Sequence, residues 1–156
     1  MSSYFALKVI HITSAAVLFG TGLGIAFFKW TTDRTGNTVA IRVVSEKVVL
    51  ADWLFTLPAI LVQALTGLAL ARSLGYPLSH GWLAWSIALF CLAGLCWIPV
   101  VGLQIRMRDL ARASEREGGP ITPRYRACAR LWFWLGIPAF VAVILVFWIM
   151  VAKPAV

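Results

Sequence analysis

Charge is scarce along this chain, and negative charge scarcest of all. Asp and Glu number 6 in 156 residues against 14 Lys and Arg, and charged residues make up 13% of the whole. A soluble domain carries roughly 25%, so the sequence lacks the polar surface needed to coat a globule in water. Cysteine is limited to Cys91, Cys96 and Cys128. The odd count excludes a closed disulfide framework, and the spacing matches no zinc motif. Cys91 and Cys96 fall on different faces of one apolar helix, where small polarizable side chains serve as packing. There are two histidines, His11 and His80, only the first of them in an apolar run. That excludes a two-haem electron carrier with four core histidines.

What is abundant is hydrocarbon. Hydrophobic residues reach 61% and mean hydropathy is +0.86, against about 45–50% apolar content in a soluble domain. Four runs, approximately 4–28, 50–71, 82–103 and 131–151, meet the roughly 20 residues needed to cross a hydrocarbon core. Backbone groups in lipid must be satisfied internally, so these runs are expected to be helices. The fold expected is all-α, a four-helix transmembrane bundle forming a single integral-membrane domain over residues 1–156. The first run lacks a basic leader and is too long for a signal peptide, so it is expected to remain as a span.

Punctuation agrees with this division. Asn37–Thr38 marks the start of a helix that begins before the second run, since Ile41, Val44, Val48 and Ala51 recur at helical spacing. Gly75, Tyr76 and Pro77 break the chain between spans two and three. The third helix is expected to continue through 104–117 and stop at Gly118–Gly119–Pro120; Thr122–Pro123 then starts the fourth. Helices 2, 3 and 4 therefore extend into the compartment on the basic side.

The basic residues set an orientation. The segments joining spans one to two and three to four hold eleven: Lys29, Arg34, Arg42, Lys47, Arg106, Arg108, Arg112, Arg116, Arg124, Arg126 and Arg130. The opposite side has three: Lys8, Arg72 and Lys153. By the positive-inside rule both termini lie on the outer, periplasmic side of a bacterial inner membrane. The same rule accounts for the sequence pI of about 10.1 without nucleic acid. All six acidic residues share the basic side, so salt-bridged helix extensions are expected there. Tyr4, Trp82, Trp85 and Trp148 fall near the outer interface, where amphipathic aromatics are favoured.

Polar side chains within the spans are costly and point to sites. His11 lies about two turns in from the outer surface. Gln63 and Thr66 approach the same level from span two, Trp85 and Ser86 from span three, and His80 from the outer loop. His11 and His80 are candidate haem ligands, with Gln63, Thr66, Trp85 and Ser86 as the surrounding pocket and Met150 as another axial candidate. A haem b or other redox cofactor is one reading. A neutral imidazole hydrogen-bonded to a neighbouring helix is the other. Asp52, at the edge of span two, calls for a cation, and Arg106 or Arg130 are the candidates for a structural ion pair. Pro58, Pro99 and Pro138 share one level in the basic half, where kinks can open a cavity. Gly20-x-x-x-Gly24 permits close helix approach within the chain or between copies.

Several segments resemble an uncharacterised bacterial integral-membrane family, domain of unknown function 2269. They are Leu7–Lys8–Val9–Ile10–His11–Ile12, Phe19–Gly20–Thr21–Gly22, Ala51–Asp52–Trp53–Leu54–Phe55, the Pro58, Gln63, Thr66–Gly67 stretch, Gln104–Ile105–Arg106–Met107–Arg108–Asp109 and Met150–Val151–Ala152–Lys153–Pro154. This resemblance implies a membrane fold without a settled activity. More distantly, Lys8-x-x-His11 resembles the HemJ-type protoporphyrinogen oxidases and the CopD-type copper-resistance membrane proteins. The HemJ likeness implies a haem role for His11. Those enzymes also carry a lysine early in the third span, which Trp82–Leu83–Ala84–Trp85–Ser86 lacks, so the likeness implies a cofactor without that oxidase chemistry. Two functions are therefore expected in competition: a haem-associated redox protein with a membrane redox partner, or a non-enzymatic transporter subunit or assembly partner. Either is compatible with a homo-oligomer.

Overall fold

The computed structural model describes residues 2–79 and 81–154, the first without its side chain. The chain is all-helical: α1 (Ser2–Asp33), α2 (Thr38–Ala51), α3 (Leu57–Ser73), α4 (Gly81–Arg116) and α5 (Pro123–Ala152). A five-residue π-helical turn, Asp52–Thr56, joins α2 to α3 without a break. Four rods result that are long and apolar enough to cross a membrane. The second and third are each 36 residues long, about 54 Å at 1.5 Å per residue. That exceeds a hydrocarbon core of about 30 Å, so both project beyond it at the basic end.

Side chains that water would not tolerate cover the outside of these rods. Leu65 and Leu95 are each 68% exposed and Trp148 is 70% exposed. Lipid is the solvent that removes this cost.

The helix ends follow from local chemistry. Asn37 caps α2, its Oδ1 accepting from Ala40 N–H at 3.0 Å. Thr122 caps α5 by accepting from Tyr125 N–H at 3.3 Å, with Pro123 at the first helical position. Gly118 takes φ +63° just beyond α4, a conformation that costs a residue with a Cβ. The π turn has its cause in Pro58. Proline has no N–H to donate, and its ring presses on the carbonyl four residues back, here Leu54. The turn widens, and Leu57 N–H reaches the Asp52 carbonyl five residues back.

The rods pack unevenly. α4 lies along α5, α1 lies against α3, and α2 bridges to α4. The tightest core therefore sits at the basic end, where Ile41, Met107, Ala111, Ile121 and Tyr125 meet. Toward the other end, Phe19 of α1 reaches across to Phe140 and Phe147 of α5, at ring distances of 4.9 and 5.4 Å. At the Gly20 and Gly24 positions an added Cβ would meet nothing within 4 Å, so this small-residue face receives no helix of the described chain.

Candidate functional site

His11 and Ser14 are three residues apart on α1, and Gln63, Thr66 and Gly67 stand at i, i+3 and i+4 on α3. Helical spacing therefore turns each set to one face, and the packing of α1 on α3 brings the faces together. His11 Nδ1 lies 2.9 Å from Thr66 Oγ1, and Nε2 lies 3.1 Å from Gln63 Nε2. Ser14 Oγ is 2.5 Å from Gln63 Oε1 and 2.9 Å from the His11 carbonyl oxygen.

Proton accounting favours the Nδ1–H tautomer. Thr66 donates its hydroxyl proton to the Val62 carbonyl at 2.6 Å, so its oxygen accepts from His11 Nδ1–H. The Gln63 amide N–H then donates to the bare Nε2, while its oxygen accepts from Ser14. Ser14 has one proton for two acceptors, and the shorter contact, to Gln63, takes it. His11 is thus a neutral imidazole that fastens two helices. Gly67 makes room for it, since a Cβ there would stand 3.2 Å from His11 Cε1.

A haem iron at His11 would have to displace Gln63 from the ring. Iron needs the Nε2 lone pair, which Gln63 occupies. The space beside Gln63, bordered by Ala15, Leu18, Phe90 and Phe147, holds about 20 Å³, against several hundred for a cofactor pocket. Of the other residues expected here, His80 lies outside the described residues. Ser86 is buried, but its hydroxyl donates to the Trp82 carbonyl at 2.9 Å. Trp85 is 62% exposed, because one residue is about 100° of helix turn and inward Ser86 sends its neighbour outward. Ser14, by contrast, was missed, although its i+3 spacing from His11 pointed to it.

Asp52 departs from its expected pairing. It is buried, yet no ion pair joins it to Arg106 or Arg130, both of which are exposed. Gln104 points inward on α4, and Arg106 two residues later is about 200° away around the helix. The polar neighbours of Asp52 are Thr56, Gln104 and Trp97. Asp52 and Thr56 stand at i, i+4, and Trp97 and Gln104 at i, i+7, spacings that share a face. These four side chains line one end of an otherwise apolar cavity of about 500 Å³ between α1, the π turn, α4 and α5. The cavity lies at the level of the three prolines: Thr56 and Ile60, Trp97 and Val100, and Ile137 and Ala139 flank them in turn along its wall.

A third polar group closes the basic end. Lys29, 1% exposed, donates to both oxygens of Asp33 at 2.7 and 2.8 Å and also to Tyr125 Oη. Tyr125 in turn donates to Asp33 at 2.6 Å. Outside, Arg112 reaches Glu46 at 2.7 Å, and Arg42 bridges Glu46 and Glu115. Glu46 lies beyond the apolar run, and its hydrogen bond from Arg112 holds its carboxyl below the usual carboxylate range. These are the salt-bridged extensions expected from the charge pattern.

Residues 5–154 match the family described as "Predicted integral membrane protein (DUF2269)". The chain belongs to this family. No curated protein and no solved structure matches it. For this DUF2269 protein the geometry thus separates two polar centres of different character. The one around His11 is saturated with hydrogen bonds. The one around Asp52 is not. Among the described residues, no three His, Cys, Asp or Glu side chains gather as a metal site.

Proposed function

We propose that this protein is a non-enzymatic, multi-pass component of the bacterial inner membrane, a transporter subunit or an assembly partner, in which the His11 group holds α1 to α3. The single observation that carries this reading is the engagement of both His11 ring nitrogens by side chains of α3. A polar group so satisfied fixes helix geometry, and this supports a structural role. The basic segments stand in the cytoplasm and both termini outside, supported by the count of eleven basic residues against three.

The haem reading is tested against it directly. Full-length protein purified from haem-supplemented cells is expected to show no Soret band and to retain its fold, with a partner recovered by mild crosslinking in membranes. A stoichiometric Soret band that disappears in His11→Ala overturns the proposal. Topology is tested by fusions after Lys153: alkaline phosphatase is expected to be active, and green fluorescent protein dark. The reverse pattern overturns the orientation.

A further inference from the structure

The cavity beside Asp52 has the character of a binding site that nothing in the His11 reading uses. Asp52, Thr56 and Gln104 are only 4%, 4% and 3% exposed. Each nevertheless presents a side-chain atom with no hydrogen-bond partner in the chain: Asp52 Oδ2, Thr56 Oγ1 and Gln104 Oε1. Trp97 Nε1 beside them has none either. Buried polar atoms are ordinarily satisfied, yet Thr56, Trp97 and Gln104, which surround Asp52, close no hydrogen bond of good geometry with it at this end of the cavity. They sit on three separate segments, the π turn and two turns of α4, so packing of a single helix does not account for them.

The chemistry of the orphans selects the ligand. Two, Asp52 Oδ2 and Gln104 Oε1, are acceptors; Trp97 Nε1 only donates, and the Thr56 hydroxyl does either. The chain supplies Asp52 with no cation: Lys29 is committed to Asp33, and Arg106 and Arg130 are exposed. A carboxyl within a membrane is costly as an anion and is neutralised by a proton or by a partner cation. An alcohol would serve one acceptor and leave the charge unanswered, whereas an ammonium with two or more N–H groups serves both. The walls suit a cation as well, since Trp30, Trp97, Trp132 and Phe90 are among the residues that line the cavity. About 500 Å³ lies within the range of small-molecule sites. Half-exposed Leu23 and Trp30 on α1 and Phe133 and Ile137 on α5 border it, so its mouth faces lipid between these helices.

We propose that this cavity binds a lipid-soluble amphipathic amine, its ammonium seated on Asp52 and Gln104 and its apolar body held among the aromatic walls. The ligand enters sideways from the bilayer. This site is independent of the His11 group and goes beyond the role proposed above.

Dansylcadaverine, a primary amine on an aromatic body, is the probe, and its alcohol analogue, with hydroxyl in place of the amine, is the control. Both are titrated into full-length protein in lipid nanodiscs, with empty nanodiscs subtracted. The amine is expected to give saturable emission, and the alcohol to bind at least about tenfold more weakly. Asp52→Asn is expected to weaken the amine by at least about tenfold and to leave the alcohol within about twofold. Gly136→Leu fills the cavity, since a Cβ at Gly136 has open space within 4 Å, and is expected to abolish binding of both. Equal affinity for amine and alcohol, an unchanged Asp52→Asn, an unchanged Gly136→Leu, or no saturable signal each overturns the proposal. If Asp52→Asn fails to fold, the amine-to-alcohol ratio and Gly136→Leu still decide it.

Discussion

His11 Nδ1 lies 2.9 Å from Thr66 Oγ1, and because the Thr66 hydroxyl has the Val62 carbonyl as its acceptor at 2.6 Å, the proton between them is assigned to His11. A one-way bond of this kind makes the imidazole a structural member, and its loss has a measurable size.

Each interhelical hydrogen bond in a membrane contributes about 0.6 kcal/mol. Removing both His11 bonds with His11→Ala is therefore expected to cost about 1 kcal/mol, and Thr66→Val, which removes one, about half of that. Reversible unfolding in mixed micelles measures both. A loss below experimental error in His11→Ala would show that the bonds do not hold α1.

Gly67→Ala is expected to be destabilising for a separate reason. The new Cβ would lie 3.2 Å from His11 Cε1, and the ring, held at both nitrogens, cannot swing aside without losing a bond. The cost should be about 1 kcal/mol in the wild-type background and close to zero in His11→Ala. The double-mutant cycle reads this coupling, and strict additivity would refute the contact.

Tyr125 joins α5 to α1 through Lys29 and Asp33. Tyr125→Phe keeps the ring under Lys29, which lies 4.7 Å from its centroid, but removes the hydroxyl, at an expected cost of about 1–3 kcal/mol. Lys29→Met leaves Asp33 uncompensated and should cost more, with Lys29→Met/Asp33→Asn recovering part of it. Thermal midpoints of the three variants give the order.

Glu46 carries a pH dependence of known sign. Its carboxyl is held below the ordinary range by Arg112, so its folded form binds a proton less readily than its unfolded form. The stabilisation is present above the unfolded pKa and is lost as pH falls through the folded one. Unfolding midpoints followed from neutral pH into the acid range should fall less steeply in Glu46→Gln than in wild type. A parallel fall in the two would exclude a contribution from this pair.

The arrangement also moves attention from one half of the bundle to the other. Counting intramembrane polar residues favoured the half nearer the termini, where His11, Gln63 and Thr66 share a level. Those residues satisfy one another. The basic half, where the charge pattern calls for an Asp52 ion pair, holds the cavity of about 500 Å³ and the polar atoms without well-formed hydrogen bonds. The expected arginines face outward there, a consequence of helix phase that the helical repeat made available once Gln104 was recognised as inward. Pro58 was legible as a kink, but the π turn that sets Asp52 and Thr56 beside α4 was not. Its register depends on how a displaced carbonyl finds a new donor.

The sequence by itself determined the number of rods, their ends and their solvent. Long apolar runs, caps and breakers act locally, and the bilayer forces helix upon every run it contains. It also determined the basic end, because charge collects where water remains. Only the tertiary structure decided which polar atoms are satisfied. His11 and Asp52 look alike in the sequence, each an ionisable residue at the edge of oil. Their difference lies in the rotation of one helix against another, which gives Gln63 and Thr66 to the first and leaves the second facing open space.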